Sequence, residues 1–278
     1  MAAVCRLCLL FLLLSLTELP AQRRFYSPAN PPDTPPGNSF VFCRIQYSSS
    51  SGRGRWGDWG RWATDYPESD INFSLRLSQL TTLDVARTDD GQLAHAIVHL
   101  DDPELFQYPF IYMLEVGDLA LSAAERQGLR SYLRRGGFLL VDDFWGDAEW
   151  ENWKYEIEQV LPPVDYPMID IPLEHELFNI VFAIDAVPQV PGVSNYQRWE
   201  LTGQSFEGDP GRYARYGTEA RCKGIFDGNG RLMVVAMHNT DLGDGWEREG
   251  EHYGYFEEFS AKRAYPMGIN IVVYAMTH

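Results

Sequence analysis

The sequence predicts an α/β protein with a mainly parallel sheet, helices on both faces and one β-hairpin. Three observations carry that prediction. The apolar stretch "FIYMLEV" (110–116) leads into a helix whose two ends are both marked, and "FLLVDDF" (138–144) follows at once. Neither stretch alternates polar with apolar residues, so both faces of each strand are expected to be covered, as in parallel sheets. Finally, "EARCKGIFDGNGRLMVVAMHN" pairs two apolar runs around Asp227-Gly228-Asn229-Gly230, whose residue types tolerate positive φ and so favour a hairpin turn.

The N-terminus reads as a leader. "MAAVCR", "LCLLFLLLSL" and "TELPAQ" follow the basic, apolar and cleavage-region order of a secretory signal peptide, expected over residues 1–21. The apolar run is shorter than the ~20 residues a spanning helix needs, so no lasting membrane span is expected after cleavage. The expected location is periplasmic or secreted. Residues 22–38 include "SPANPPDTPPG", five prolines in eleven residues, read as an extended Pro-rich tether. Residues 39–278 are read as a single α/β domain. Cys5 and Cys8 fall in the leader; Cys43 and Cys222 lie within strands, where two buried thiols are preferred over a bridge.

Within the domain, "FVFCRIQY" is a strand and "SSSSGRGRWGDWGRW" a loop bearing Trp56, Trp59 and Trp62. In "SDINFSLRLSQLTTL", Ile71, Phe73, Leu75 and Leu77 alternate as in a strand, yet Ser69 as a cap after Pro67 and continuation through Leu80 favour a helix. Ser122 and Glu125 form an S-x-x-E capping box, Leu129, Tyr132 and Leu133 an apolar face, and Gly136 a left-handed stop. "DAEWENWKYEIEQVLPP" is an amphipathic helix stopped by Pro162 and Pro163. "MIDIPLEHELFNIVF" is a strand leading into a helical turn, and "PMGINIVVYAMTH" a helix with Pro266 in its first turn. The acidic stretch "TDLGDGWEREGEHYGY" lacks the Gly-centred twelve-residue calcium pattern and is expected to be a solvated loop.

"WATDYPESDINFSLRLSQLT", "DPELFQYPFIYMLEVG", "LSAAERQGLRSYLRRGGFLLVDDF", "HELF", "GRLMVVAMHNTDLGDGW" and "GINIVVYAMTH", in this order, resemble the bacterial domain of unknown function 4159. The resemblance implies a three-layer, flavodoxin-like fold similar to class I glutamine amidotransferases, and it names no reaction. In amidotransferase-like folds the strand after such a "GG" helix end can lead to a nucleophile elbow carrying Cys. Here Asp142, Asp143 and Phe144 follow, and no G-x-C-x-G or G-x-S-x-G occurs in the chain. Nucleophilic catalysis by that route is absent.

Ligands of open parallel sheets bind beyond the carboxyl ends of the strands. Glu115, the Asp142–Asp143 pair, and His238 with Asn239 and Asp241 each end an expected strand. Together they form a candidate rim suited to a divalent cation such as Ca²⁺, Mg²⁺ or Mn²⁺. The blander reading has Asp142 accepting backbone N–H bonds and Asp143 solvated. His175 in "PLEHELF" is a candidate general base, and equally a helix-starting residue that bonds locally. Trp56, Trp59 and Trp62 are candidates for an aromatic platform, or for packing against the domain. The net charge of −16 disfavours a polyphosphate partner, so nucleic-acid binding is set aside. The expectation is an exported, non-enzymatic module binding a protein or a cell-envelope glycan. The alternative is a metal-assisted hydrolase working through Asp142, Asp143 and His238.

Overall fold

The computed structural model describes residues 29–32, 36–50, 60–208 and 215–278. The expected signal peptide, much of the tether, and Trp56 and Trp59 lie outside the described residues. Among the described residues, seven strands form one sheet: β1 (Phe42–Ile45), β2 (His95–Val98), β3 (Phe110–Leu114), β4 (Phe138–Asp142), β5 (Met168–Asp170), β6 (Arg221–Phe226) and β7 (Leu232–His238), in the order β2-β1-β3-β4-β7-β6-β5. The pairs from β2 through to β7 are parallel, and β6 runs antiparallel to both of its neighbours. The hairpin is therefore β6–β7, built on the expected Asp-Gly-Asn-Gly turn. The chain leaves β1 for β2 on one side and crosses back to β3 on the other, so the order reverses between β1 and β3.

Each central strand is buried on both faces because its alternate residues feed two separate cores. In β4, Leu139 and Val141 join a core with Leu129 and Leu133 of α2 (Ala123–Arg134) and Trp153 and Ile157 of α3 (Gly146–Val160). Phe138 and Leu140 join the opposite core with Phe73 and Leu77 of α1 (Glu68–Leu80) and Met267 and Ile271 of the C-terminal helix. The result is three layers, helices over sheet over helices. The capping box forms as read: the Ser122 hydroxyl accepts from Glu125 N–H at 3.2 Å, and the Glu125 carboxylate accepts from Ser122 N–H at 2.7 Å.

Two local expectations change. The segment 68–80 is helical, but Ser69 does not cap it. Pro67 takes the cap position, and Ser69 is buried where its hydroxyl accepts from Arg44 Nη2 at 2.8 Å. The apparent strand alternation fails because Phe73 and Leu77, four apart, point inward while Ile71 and Leu75 face out.

The first half of the acidic stretch after β7 is not a solvated loop, while residues 250–253 are exposed as expected. Beyond α4 (Tyr196–Thr202), that first half forms α5 (Leu242–Glu247), and all six residues are buried. The cause is Trp246, whose ring lies 4.6 Å from that of Phe73 and 5.8 Å from that of Tyr112. Gly268 admits it, since a Cβ there would sit 2.5 Å from the indole. Burying one large aromatic draws its acidic neighbours inside with it. The chain ends in α6 (Tyr265–Thr277), entered through a π-wound stretch, Phe256–Ala264.

Cys43 in β1 and Cys222 in β6 are free and buried. Four ladder steps of about 4.8 Å separate their strands, far beyond the reach of a disulfide. Among the described residues, no helix is long and apolar enough to cross a membrane.

Candidate functional site

Three adjacent strands end in the same unusual way. β3 runs into Glu115 (φ 51°), β4 into Asp143 (φ 50°), and β7 into Asn239 (φ 60°), each left-handed. Asp65 (φ 61°), in the loop before α1, is the fourth non-glycine residue with positive φ among the described residues. Asp and Asn tolerate this region better than other L-residues, but the conformation still costs about 1–2 kcal/mol in general. The ladder continues through the kinks: Glu115 N–H donates to Asp143 O at 3.0 Å, and Asp143 N–H to Thr240 O at 3.1 Å. Backbone strain is thus concentrated on one rim, at the carboxyl ends of the parallel strands.

That rim opens on a cleft of about 610 Å³. Carboxylates line it: Asp65, Glu115, Asp143, Glu149, Glu207, Asp241 and Asp244. Arg61, Arg248, Trp145 and Phe206 complete the walls. One carboxylate oxygen from each of Asp65, Asp143 and Asp241 lies within 4.8 Å of the other two. A Ca²⁺ ion with bonds near 2.4 Å spans opposite ligands about 4.8 Å apart, so a single hard cation can reach all three. The residues fit such an ion on a further ground. Asp65 Oδ2 is a buried atom with no hydrogen-bond partner, and Asp142 Oδ1, beneath the rim, is another. Gly243 makes the convergence possible, because a Cβ there would stand 2.6 Å from Asp65 Oδ2 and 3.5 Å from Asp241 Oδ1.

A second triad, Asp65, Asp244 and Glu247, is equally tight but already has a cation. Arg248 Nε lies 3.2 Å from Asp244 Oδ1 and 2.5 Å from Glu247 Oε2. Among the described residues, no lysine or arginine plays that part for the first triad. Withdrawal from water, then repulsion from Glu115 and Asp65, holds the Asp143 carboxyl well above the usual range. Burial, then Asp143 and Asp65, does the same to Asp241. Burial, then Asp244 and Glu247, raises Asp65. Burial pushes Asp142 up to about 7 against the N–H groups that stabilise its charge. At neutral pH the cluster must share protons or take up a cation.

The structure separates the residues singled out in the sequence into two groups. Glu115, Asp143 and Asp241 line the cleft. Glu115 is ion-paired to Arg61, Asp143 accepts from Trp145 Nε1–H at 3.0 Å, and Asp241 caps α5 by accepting from Asp244 N–H at 2.7 Å. Asp142 is fully buried below them and accepts from Gly243 N–H at 3.0 Å and Tyr112 O–H at 3.2 Å. Asn239 is a clamp whose side chain accepts from Gly146 N–H and donates to the carbonyls of Gly217 and Glu219.

His238 does not join the rim. It points into the α3 layer, 5.0 Å from the rings of both Phe144 and Trp150, with Nε2 3.0 Å from Gly146 O. Burial holds it down at about 4, so it stays neutral at ordinary pH. His175 lies at the opposite edge of the sheet, beside Phe226 and Tyr274, and caps a 3₁₀ turn by accepting from Leu177 N–H. That is the local role its position allowed. Trp62 is buried at 4% exposure and offers no platform.

Asp65, Glu149, Glu207 and Asp244 line the cleft without having been singled out. Asp65 stands in sequence as a helix approach, and Asp244 inside a stretch read as solvated. The interleaved Gly243 and Gly245 were the available signal, since glycine lets backbone and side chains approach closely. Glu149 sits one turn into α3 and accepts from Trp145 N–H at 2.7 Å; burial pushes it up to about 7.

Fold and rim define a three-layer α/β protein with an acidic cleft at the carboxyl edge of its sheet. Residues 41–276 match the family described as "Domain of unknown function (DUF4159)", and the chain belongs to that family. No curated protein matches it.

Proposed function

We propose that the protein is an exported α/β binding module whose ligand site is the acidic cleft, organised around a divalent cation held by Asp65, Asp143 and Asp241. The observation that carries this reading is the convergence of three carboxylates from three separate segments with no internal cation among the described residues, beside a triad that has Arg248. Oxygen-only donors favour Ca²⁺, Mg²⁺ or Mn²⁺ over softer metals. The leader-like run at residues 1–21 supports export, to the periplasm or beyond, and the strand order β2-β1-β3-β4-β7 supports a flavodoxin-like architecture.

A metal-assisted hydrolase is the second reading. What favours it is Glu149, whose carboxyl at about 7 faces the same cleft and is poised to exchange a proton at neutral pH. His238 has no part in that reading. The deciding experiment is calorimetric titration of the full chain with Ca²⁺, Mg²⁺ and Mn²⁺ at neutral pH. One equivalent of at least one ion should bind, and Asp143→Asn should weaken it at least about tenfold. Absence of binding by all three ions overturns the cation site.

A further inference from the structure

We infer that the cleft takes a neutral, hydroxyl-rich ligand, a sugar of an oligosaccharide, with Trp145 as its stacking wall. The inference rests on the cation-organised cleft proposed above and names what that cleft binds.

The hydrogen-bonding inventory comes first. When ionised, the carboxylates of Glu115, Glu207 and Asp244 can only accept hydrogen bonds, so a complementary ligand must donate them, while Glu149, pushed up to about 7, can serve either way near neutral pH. Among the described residues, the guanidinium groups that line the cleft are already committed: Arg61 pairs with Glu115 and Asp118, and Arg248 with Asp244 and Glu247. A phosphate or carboxylate ligand would meet an excess of negative charge with few free donors to receive it. A cationic amine would compete with the metal ion for the same oxygens. Hydroxyl groups suit both partners, donating to carboxylates while their oxygens ligate a hard cation.

The second observation is the apolar wall. Trp145 is half-buried at the start of α3, and its indole is held from two sides. Nε1–H donates to Asp143 Oδ1 at 3.0 Å, and the ring meets Phe206 edge to face at 5.7 Å and 71°. An aromatic side chain fixed this way offers contact area at little further entropy cost. A sugar ring is the small neutral molecule that carries an apolar C–H face and a rim of hydroxyl donors together. Gly192 and Gly208 line the same cleft, where a Cβ would crowd Glu207 Oε1 at 3.0 Å and the Phe206 ring at 2.8 Å, so their absence of side chain lets the wall close up behind the cleft.

The test titrates the calcium-loaded full chain with β-linked tetrasaccharides of glucose and of N-acetylglucosamine, a tetragalacturonate and tetralysine, read by calorimetry and tryptophan fluorescence. At least one neutral tetrasaccharide should bind more tightly than about 1 mM with a change in tryptophan emission, and Trp145→Ala should weaken it at least about tenfold. Ala148→Gln, at an exposed cleft position on α3, places a neutral side chain in the path of the sugar. It should weaken the sugar similarly and leave the calcium titration within about twofold. It decides the matter if Trp145→Ala fails to fold. Calcium binding with both neutral sugars silent overturns the inference, whether or not tetragalacturonate or tetralysine binds. Sugar binding that survives chelator and is lost in Ala148→Gln leaves the sugar assignment standing and overturns the cation's part in organising the sugar site.

Discussion

Asp65 and Asp70 lie five residues apart and are compensated in opposite ways. Asp70 is fully buried against Arg44, which gives Nε–H to Oδ2 at 3.1 Å and Nη2–H to Oδ1 at 2.5 Å. The remaining donors of Arg44 go to the carbonyls of Trp62 and Thr64 and to Ser69 Oγ, so every charge and donor of that pair is answered. Asp65 faces Asp143 and Asp241 with one oxygen unpartnered. The fold can therefore bury a carboxylate with full compensation, and at the rim it leaves the compensation open. An open negative site surrounded by satisfied ones is a place for a ligand.

The largest test of this contrast is Arg44→Met, which keeps the volume and strands Asp70 as an unpaired buried charge. The loss should be on the order of 3–5 kcal/mol, read from urea denaturation. A loss under about 1 kcal/mol would erase the difference between the two sites.

A smaller effect follows from pH. Asp142 is raised to about 7, and Asp65, Asp143 and Asp241 are raised as well, so each binds its proton more tightly folded than unfolded. Their contribution to stability is fully present below the unfolded value near 4 and is lost as pH rises through 7. In chelator the melting temperature should fall by roughly 5 °C between pH 5 and pH 8. Excess Ca²⁺ should remove the fall at pH 8, and a flat profile in chelator would show that the rim is compensated after all.

The smallest effect has the opposite sign to Arg44→Met. Asp143→Asn keeps an oxygen for Trp145 Nε1–H and removes one repelling charge, so the cation-free protein should gain about 1 kcal/mol in the same denaturation experiment. A loss of stability there would make Asp143 a structural residue and sink the comparison.

The sequence by itself determined the βαβ unit, the hairpin and the strand ends on which Glu115, Asp143 and Asp241 stand. These depend on local signals: continuous apolar runs, the Ser122–Glu125 box, Gly136, and the Asp-Gly-Asn-Gly turn. The missing nucleophile elbow was equally legible, because it is a matter of which residues follow β4. Ser69 and the buried half of the acidic stretch, 240–247, misled for one reason. A polar residue is assigned to the surface unless its partner is visible, and Arg44, like the Phe73 and Tyr112 rings that take Trp246 inside, stands far away in the chain. Only the tertiary structure decided that Asp65 meets Asp143 and Asp241, that His238 turns into the α3 layer, and that Trp145 walls the cleft. Those contacts join segments up to 176 residues apart, Asp65 to Asp241, and depend on sheet order and on packing at Gly243 and Gly268. The charge balance of the rim is a sum over all of them, so no single stretch of sequence contains it.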